Sequence, residues 1–309
     1  MNQAFDHRAL LAGLTDDQRK SLQEKSDVAG VKHLSLHLAL IVLGGTLIWA
    51  AVPFYPLIMV AQGVLLVFLF TLLHETTHKT PFKSDWLNSF AGHLAGFVVM
   101  LPLGWFRYFH LAHHRHTHDP EHDPELSEPK PTTFLGHAFY MTGLPEFVSR
   151  IKGLVLRAFV ISEDSFVPER GRAKVLKEAR LYLLGYAVLI GGSVWMSSGL
   201  LLWVWICPFL LGNPFLRGYL LAEHSRCPHV SDMLENTRTT FTNSVVRFLA
   251  WNMPYHAEHH IHPNVPFHKL PEFHQVTVDH LKSTENGYGR FNQSYVNALV
   301  DGSLAKEKT

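Results

Sequence analysis

Residues 57–78 read LIMVAQGVLLVFLFTLLHETTH. An uncharged apolar run, 57–73, passes without a break into His74 and His78. About 20 apolar residues cross the roughly 30 Å hydrocarbon layer of a bilayer, so this segment predicts a membrane-spanning helix. The four-residue spacing puts both imidazoles on one face where the helix leaves the membrane. Upstream, residues 34–52 (LSLHLALIVLGGTLIWAAV) are also uncharged, and a turn at Pro53–Pro56 joins the two runs into a hairpin. Residues 181–197 and 199–216 form a second such pair around Ser197, Ser198 and Gly199. A fifth stretch, 87–105, holds His93 and several glycines and ends LPLGWF, which suits either a re-entrant hairpin or a full span. Four uncharged runs in two tight pairs do not fit a water-soluble core. The expected fold is therefore all-α and integral to the membrane, with four transmembrane helices in two hairpins and a helical cap on the cytoplasmic side.

Charge sets the expected orientation. The turns near 53–56 and 197–199 carry no Lys or Arg, whereas residues 1–33, 79–180 and 223–309 hold nearly all of them. By the positive-inside rule both termini and the long central loop are cytoplasmic, as in a protein of a bacterial inner membrane. A net charge of +1 with scattered basic residues argues against a nucleic-acid partner. Cys207 and Cys227 have no CxxC spacing and imply neither a disulfide framework nor a zinc knuckle. The polar start MNQAFDHRALLAGLTDDQRK does not read as a cleavable signal peptide. Three regions follow: an N-terminal cytoplasmic segment (1–33), a membrane catalytic domain (34–280) and a C-terminal cytoplasmic tail (281–309).

Two further histidine units lie on the same side as HETTH. His110, His113 and His114 form H-x-x-H-H in HLAHHRHTH, and His256, His259 and His260 repeat it in HAEHHIH. Imidazole is the commonest protein ligand for transition metals. These histidines exceed what one ion can hold, since zinc takes four ligands and an octahedral ion six. Two metals is the natural count. His224, at the end of the last span, is a further candidate ligand. Glu75, Glu223 and Glu258 sit beside these histidines, and Asp119 and Asp123 follow the second unit; each can orient a ligand imidazole through its second nitrogen. His116, His118, His122, His262 and His268 read as supporting or surface groups. His7, His33, His37, His93, His137, His229, His274 and His280 receive no metal role. Residues 132–160 mix apolar and basic positions, which suits helices lying in the membrane interface or a plain cytoplasmic cap. Arg217, near the end of the last span, is expected to snorkel or to pair with a headgroup or a carboxylate.

A nitrogen-rich site fits iron, copper, zinc or nickel, and spacing alone does not choose. Beside an apolar body it suits the oxidation of an alkyl chain, whose C–H bonds require a strong oxidant such as iron with O₂. The units HETTH, HLAHH and HAEHH, with two hairpins, resemble the integral-membrane fatty acid desaturase and hydroxylase superfamily. The resemblance covers roughly residues 34–280 and is most specific in NMPYHAEHHIHPNVPFHKLPEFH. It implies a non-haem di-iron centre that activates O₂ on a lipid or other apolar substrate. Electrons would come from a separate protein, a ferredoxin with its reductase or a cytochrome b5 type, because no HPGG haem motif is present. The implied ligands are His74, His78, His110, His113, His114, His224, His256, His259 and His260. In the acyl-CoA desaturases an asparagine four residues before the His224 position helps hold a metal-bound water; Leu220 stands here. The wording HHRHTHDPEHDPE is closer to bacterial desaturase-like oxygenases, including carotenoid ketolases and the hydrocarbon oxygenase of rhizopine catabolism.

Desaturation is the expected reaction, and hydroxylation or monooxygenation on the same scaffold is the alternative. HETTH also matches the H-E-x-x-H zinc protease motif with Glu75 as general base, a reading that leaves both H-x-x-H-H units unexplained. A metal transporter would place more polar residues within the spans.

Overall fold

The computed structural model describes residues 5–306 and is mainly helical; residues 1–4 and 307–309, the outer ends of the expected terminal segments, lie outside the described residues. Ser26 caps α1 (Asp27–Trp49), its hydroxyl accepting from Ala29 N at 3.2 Å. After the Pro53–Pro56 turn, α2 (Tyr55–Val67) has proline in its first turn, where a missing N–H breaks no bond. It runs through Phe68 into α3 (Leu69–His78). Next come α4 (Asp85–Val98) and α5 (Leu103–His116), bent by 98° at the intervening residues, where Met100 is left-handed at φ 59°. Then follow α6 (Phe134–Met141), α7 (Leu144–Phe159), α8 (Glu169–Trp195) and α9 (Cys207–His224), the last entered through a π-helical turn at Leu202–Ile206. Short helices α10 (His256–Ile261) and α11 (Leu270–Thr277) precede α12 (Tyr288–Val300). Among the described residues the β-structure is one two-residue parallel ladder, β1 (Thr239–Thr240) on β2 (Thr284–Glu285).

Three helical stretches are long and apolar enough to cross a membrane: Asp16–Trp49, Tyr55–His78 and Leu202–His224; α4 with α5 makes a fourth if the bent pair is counted as one. The 87–105 stretch is thus a broken helix. Residues 181–197, expected as a span, fall in α8, which is not among these stretches. Lys174, Lys177, Glu178 and Arg180 lie in its first half, and its uncharged part runs only from Leu181 to Trp195. The apolar side chains Leu184, Val188, Ile190 and Val194 on that part are exposed. Nor do the two arms of the expected second hairpin pack chiefly on each other: α9 lies mainly against α2, and α8 against α7.

The α2–α9 crossing is a contact of backbones. A Cβ on Gly63 would lie 2.0 Å from Pro208 O, and one on Gly212 would lie 2.2 Å from Gly63 C. Small residues at such a crossing let two helices approach closely in an apolar medium. Side-chain donors from neighbouring segments bind carbonyls along the last turns of α4 and at the bend. Tyr182 Oη donates to His93 O at 3.1 Å, Tyr186 Oη to Phe97 O at 2.7 Å and Trp205 Nε1 to Val98 O at 3.0 Å. Arg150 Nη1 donates to Val99 O at 3.0 Å. These bonds hold the bend that turns α5, with its histidines, toward the end of α3.

Candidate metal centre

Four separate chain segments bring imidazoles to one buried place. His74 and His78 end α3, His110, His113 and His114 lie on α5, His224 ends α9, and His256, His259 and His260 form α10. Their ring nitrogens sort into two groups. His74, His78, His110, His114 and His259 form one; His113, His224 and His260 form the other. His256 adjoins the second group, with its Nε2 3.1 Å from His224 Nε2. The groups meet where the His114 and His260 rings stack at 4.0 Å. Two of these helices are also tied directly, because Arg107 on α5 donates to Thr77 O at 3.0 Å and to Thr76 O at 2.7 Å on α3.

The geometry fits cations. Nε2 atoms face each other at 2.8 Å (His78–His110), 3.2 Å (His113–His224) and 3.2 Å (His114–His259). Two nitrogens bound at right angles to one ion, with bonds of about 2.1 Å, lie about 3 Å apart. His260 Nε2 is buried without a hydrogen-bond partner among the described residues, while its Nδ1 meets Thr117 Oγ1 at 3.3 Å. Burial, reinforced by neighbouring imidazoles, holds His256, His259 and His260 well below the usual imidazole pKa. They are therefore neutral near pH 7, the form that binds metal.

Carboxylates face the outer nitrogens of several rings. His113 Nδ1 donates to Asp123 Oδ1 at 2.9 Å. Glu223 Oε1 lies 3.5 Å from His256 Nδ1, and Glu75 Oε1 lies 3.8 Å from His259 Nδ1. Glu75 is fully buried and accepts from Thr80 Oγ1 at 3.0 Å and Phe267 N at 3.2 Å. That enclosure suits an orienting group better than the general base of a protease. Two expected carboxylates serve elsewhere. Glu258 accepts from His274 Nδ1, Thr239 Oγ1 and Thr277 Oγ1. Asp119 pairs with His122 at 3.0 Å and His116 at 4.0 Å, an outlying cluster.

Sequence reasoning missed Glu125, whose Oε2 stands 3.4 Å from His113 Nε2 on the inward side. Its signal was the repeated Asp-Pro-Glu after the second unit, which folds Pro124–Ser127 into a 3₁₀ turn under the cluster. It also missed His274, the anchor of Glu258. Other histidines without a metal role hold the fold: His7 pairs with Asp232 at 3.1 Å, His33 meets Phe248 O at 2.8 Å and His37 meets Leu65 O at 2.9 Å. His93 pairs with Glu178 at 3.2 Å. His118 is buried between the His224 and His229 rings, 5.6 Å and 4.6 Å away.

The sequence model of the fatty acid desaturase family matches residues 30–291, which takes in every histidine of both groups. The chain belongs to the fatty acid desaturase family. It is 26% identical to a dihydrorhizobitoxine desaturase of Bradyrhizobium elkanii over 80% of this chain and 73% of that one. A delta 8-(E)-sphingolipid desaturase of Emericella nidulans is 22% identical over 75% of this chain, which spans only 50% of that relative's length. An sn-1 acyl-lipid omega-3 desaturase (ferredoxin) of Nostoc sp. is 31% identical over 23% of this chain and 20% of its own. The chain thus joins membership of an oxidoreductase family to helices long and apolar enough to cross a membrane.

Proposed function

We propose that the protein is an O₂-dependent non-haem di-iron desaturase acting on the alkyl chain of a lipid or similar apolar substrate. The observation that carries this reading is the pair of adjoining imidazole groups joined at His114 and His260. His74, His78, His110, His114 and His259 would hold one iron; His113, His224, His256 and His260 would hold the other. When bound, the iron pair supplies the oxidising power that an unactivated C–H bond requires.

The chain's own groups do the rest. Asp123 fixes the His113 tautomer, so that its lone pair points inward. Glu75 and Glu223 stand ready to do the same for His259 and His256. Burial of the cluster excludes bulk water from an oxidant that would otherwise be quenched. In the overall reaction two hydrogens leave adjacent carbons, and O₂ with two electrons and two protons becomes two waters.

Those electrons come from a separate donor, and the Nostoc relative's name favours a ferredoxin over a cytochrome b5 type. The protein would sit in a bacterial inner membrane with four spans in two hairpins, α8 supplying the third through its exposed apolar end. Residues 1–33, 281–309 and the histidine cluster would face the cytoplasm as a cap on the membrane domain (34–280).

Metal analysis of the purified protein tests the core of the reading. About two irons per chain are expected, and His259→Ala should abolish iron loading and turnover together. Full iron and activity in that variant would refute the assignment. Mass spectrometry of host lipids and small apolar metabolites then decides the chemistry: loss of two hydrogens marks desaturation, and gain of one oxygen marks hydroxylation.

A further inference from the structure

Arg217 lies on α9 two turns before His224, about 10 Å along the helix at 1.5 Å per residue. It is 7% exposed, and its Nε has no hydrogen-bond partner among the described residues. Its ion pair with Glu146, Nη2 to Oε2, is long at 3.8 Å. The Tyr140 ring lies 5.2 Å from the guanidinium carbon, and the Tyr140 hydroxyl is likewise buried without a partner. Both side chains line a cavity of 330 Å³ with Glu128, Lys130, Glu146 and Ser149.

Most charges around this cavity are already matched. Lys130 Nζ is held by Glu125 Oε1 at 2.9 Å, and Glu146 Oε1 by Arg150 Nε at 2.7 Å. Burial pushes the Glu146 carboxyl up, but Arg150 and Arg217 outweigh it and bring it down to about 2. Burial and the facing Glu146 raise Glu128, which favours its neutral form. Arg217 then shares the single Glu146 carboxylate with Arg150, at the longer of the two distances, and its buried Nε is left unmet, which is destabilising. The cavity wall also adjoins the histidine cluster, because Lys130 binds the same Glu125 that faces His113.

We propose that this cavity receives the singly charged oxyanion of the substrate's head group, a carboxylate or a phosphodiester, on Arg217 Nε and the Tyr140 hydroxyl. The alkyl chain then runs toward the histidines, so the carbons oxidised lie about 10 Å from the head group, the helical distance from Arg217 to His224. The proposal rests on the alkyl-oxidising reading given above, since it names the head of that substrate.

Binding calorimetry on the full-length detergent-solubilised protein tests it without turnover. The probes are decanoate, decanol of equal length, and dihexanoylphosphatidylglycerol. At least one anion should bind about tenfold or more tightly than decanol, a difference of about 1.4 kcal/mol. Arg217→Gln and Tyr140→Phe should each cut that preference while iron content stays unchanged, and Arg217→Lys should restore part of it. Preference for decanoate alone identifies a free carboxylic acid, and preference for the phosphatidylglycerol alone identifies a lipid phosphodiester. Equal affinity for decanol, or a preference that survives Arg217→Gln, overturns the head-group site. A parent protein that takes up no iron overturns the di-iron reading instead, and the titration still reports on the cavity.

Discussion

His113 Nδ1 donates to Asp123 Oδ1 at 2.9 Å, and that bond decides which face of the ring meets the rest of the cluster. Asp123 is itself fastened, accepting from His118 N at 2.9 Å and Glu125 N at 2.9 Å. One carboxylate thus positions a candidate ligand and the turn that carries Glu125.

Asp123→Ala should therefore weaken iron binding by about 10–100-fold, the usual consequence of losing a partner that orients a ligand. Competition against a chelator measures this, with circular dichroism to show that the helices persist. Unchanged affinity would remove Asp123 from the site.

Glu258 behaves differently because its partners are His274, Thr239 and Thr277. Glu258→Ala should strand these donors in the interior and lower stability by about 1–3 kcal/mol. The melting temperature should drop by a similar amount with and without bound iron. A loss confined to the iron-loaded protein would show instead that Glu258 acts on the metal.

The depressed pKa values of His256, His259 and His260 make the stability of chelator-stripped protein depend on pH. The unfolded imidazoles take up protons near pH 6.5, whereas the folded ones resist until well below it. Stability should be full above that point and fall as pH drops, by up to about 1.4 kcal/mol per pH unit for each histidine. Melting temperatures from about pH 7.5 to about pH 5.5 report this directly, and a flat profile would contradict it.

The features legible in the sequence were those with local periodicity. Histidines three or four apart share a helix face whatever surrounds them, and an uncharged run announces an apolar helix. What escaped depends on tertiary placement. Glu125, Asp119 and Asp123 follow the same histidine unit, and only the fold separates the one that meets His113 Nδ1 from the one that meets His122. Glu258 sits inside HAEHH, yet α10 points it away toward His274. Residues 181–197 read as a span by themselves, and only the fold shows that their apolar stretch continues a helix whose first half is charged.

The α2–α9 crossing positions both ends of the cluster, since α2 leads into His74 and His78 and α9 ends at His224. Gly63→Ala should force the two backbones apart and lower stability by about 1–3 kcal/mol or more. Iron content per folded chain should fall with it, although the substituted residue lies about three turns along the helix from His74. A variant with parental melting and parental iron would show that the crossing has slack.

The contact of His113 with His224 closes across 111 residues, and that of His114 with His259 across 145. Chains are made from the N-terminus, so α3 and α5 leave the ribosome long before α10 exists. Until then the early histidines make only part of the cluster. The cluster is accordingly completed last, and an iron pair held by all four segments would be held only by a chain made past residue 260.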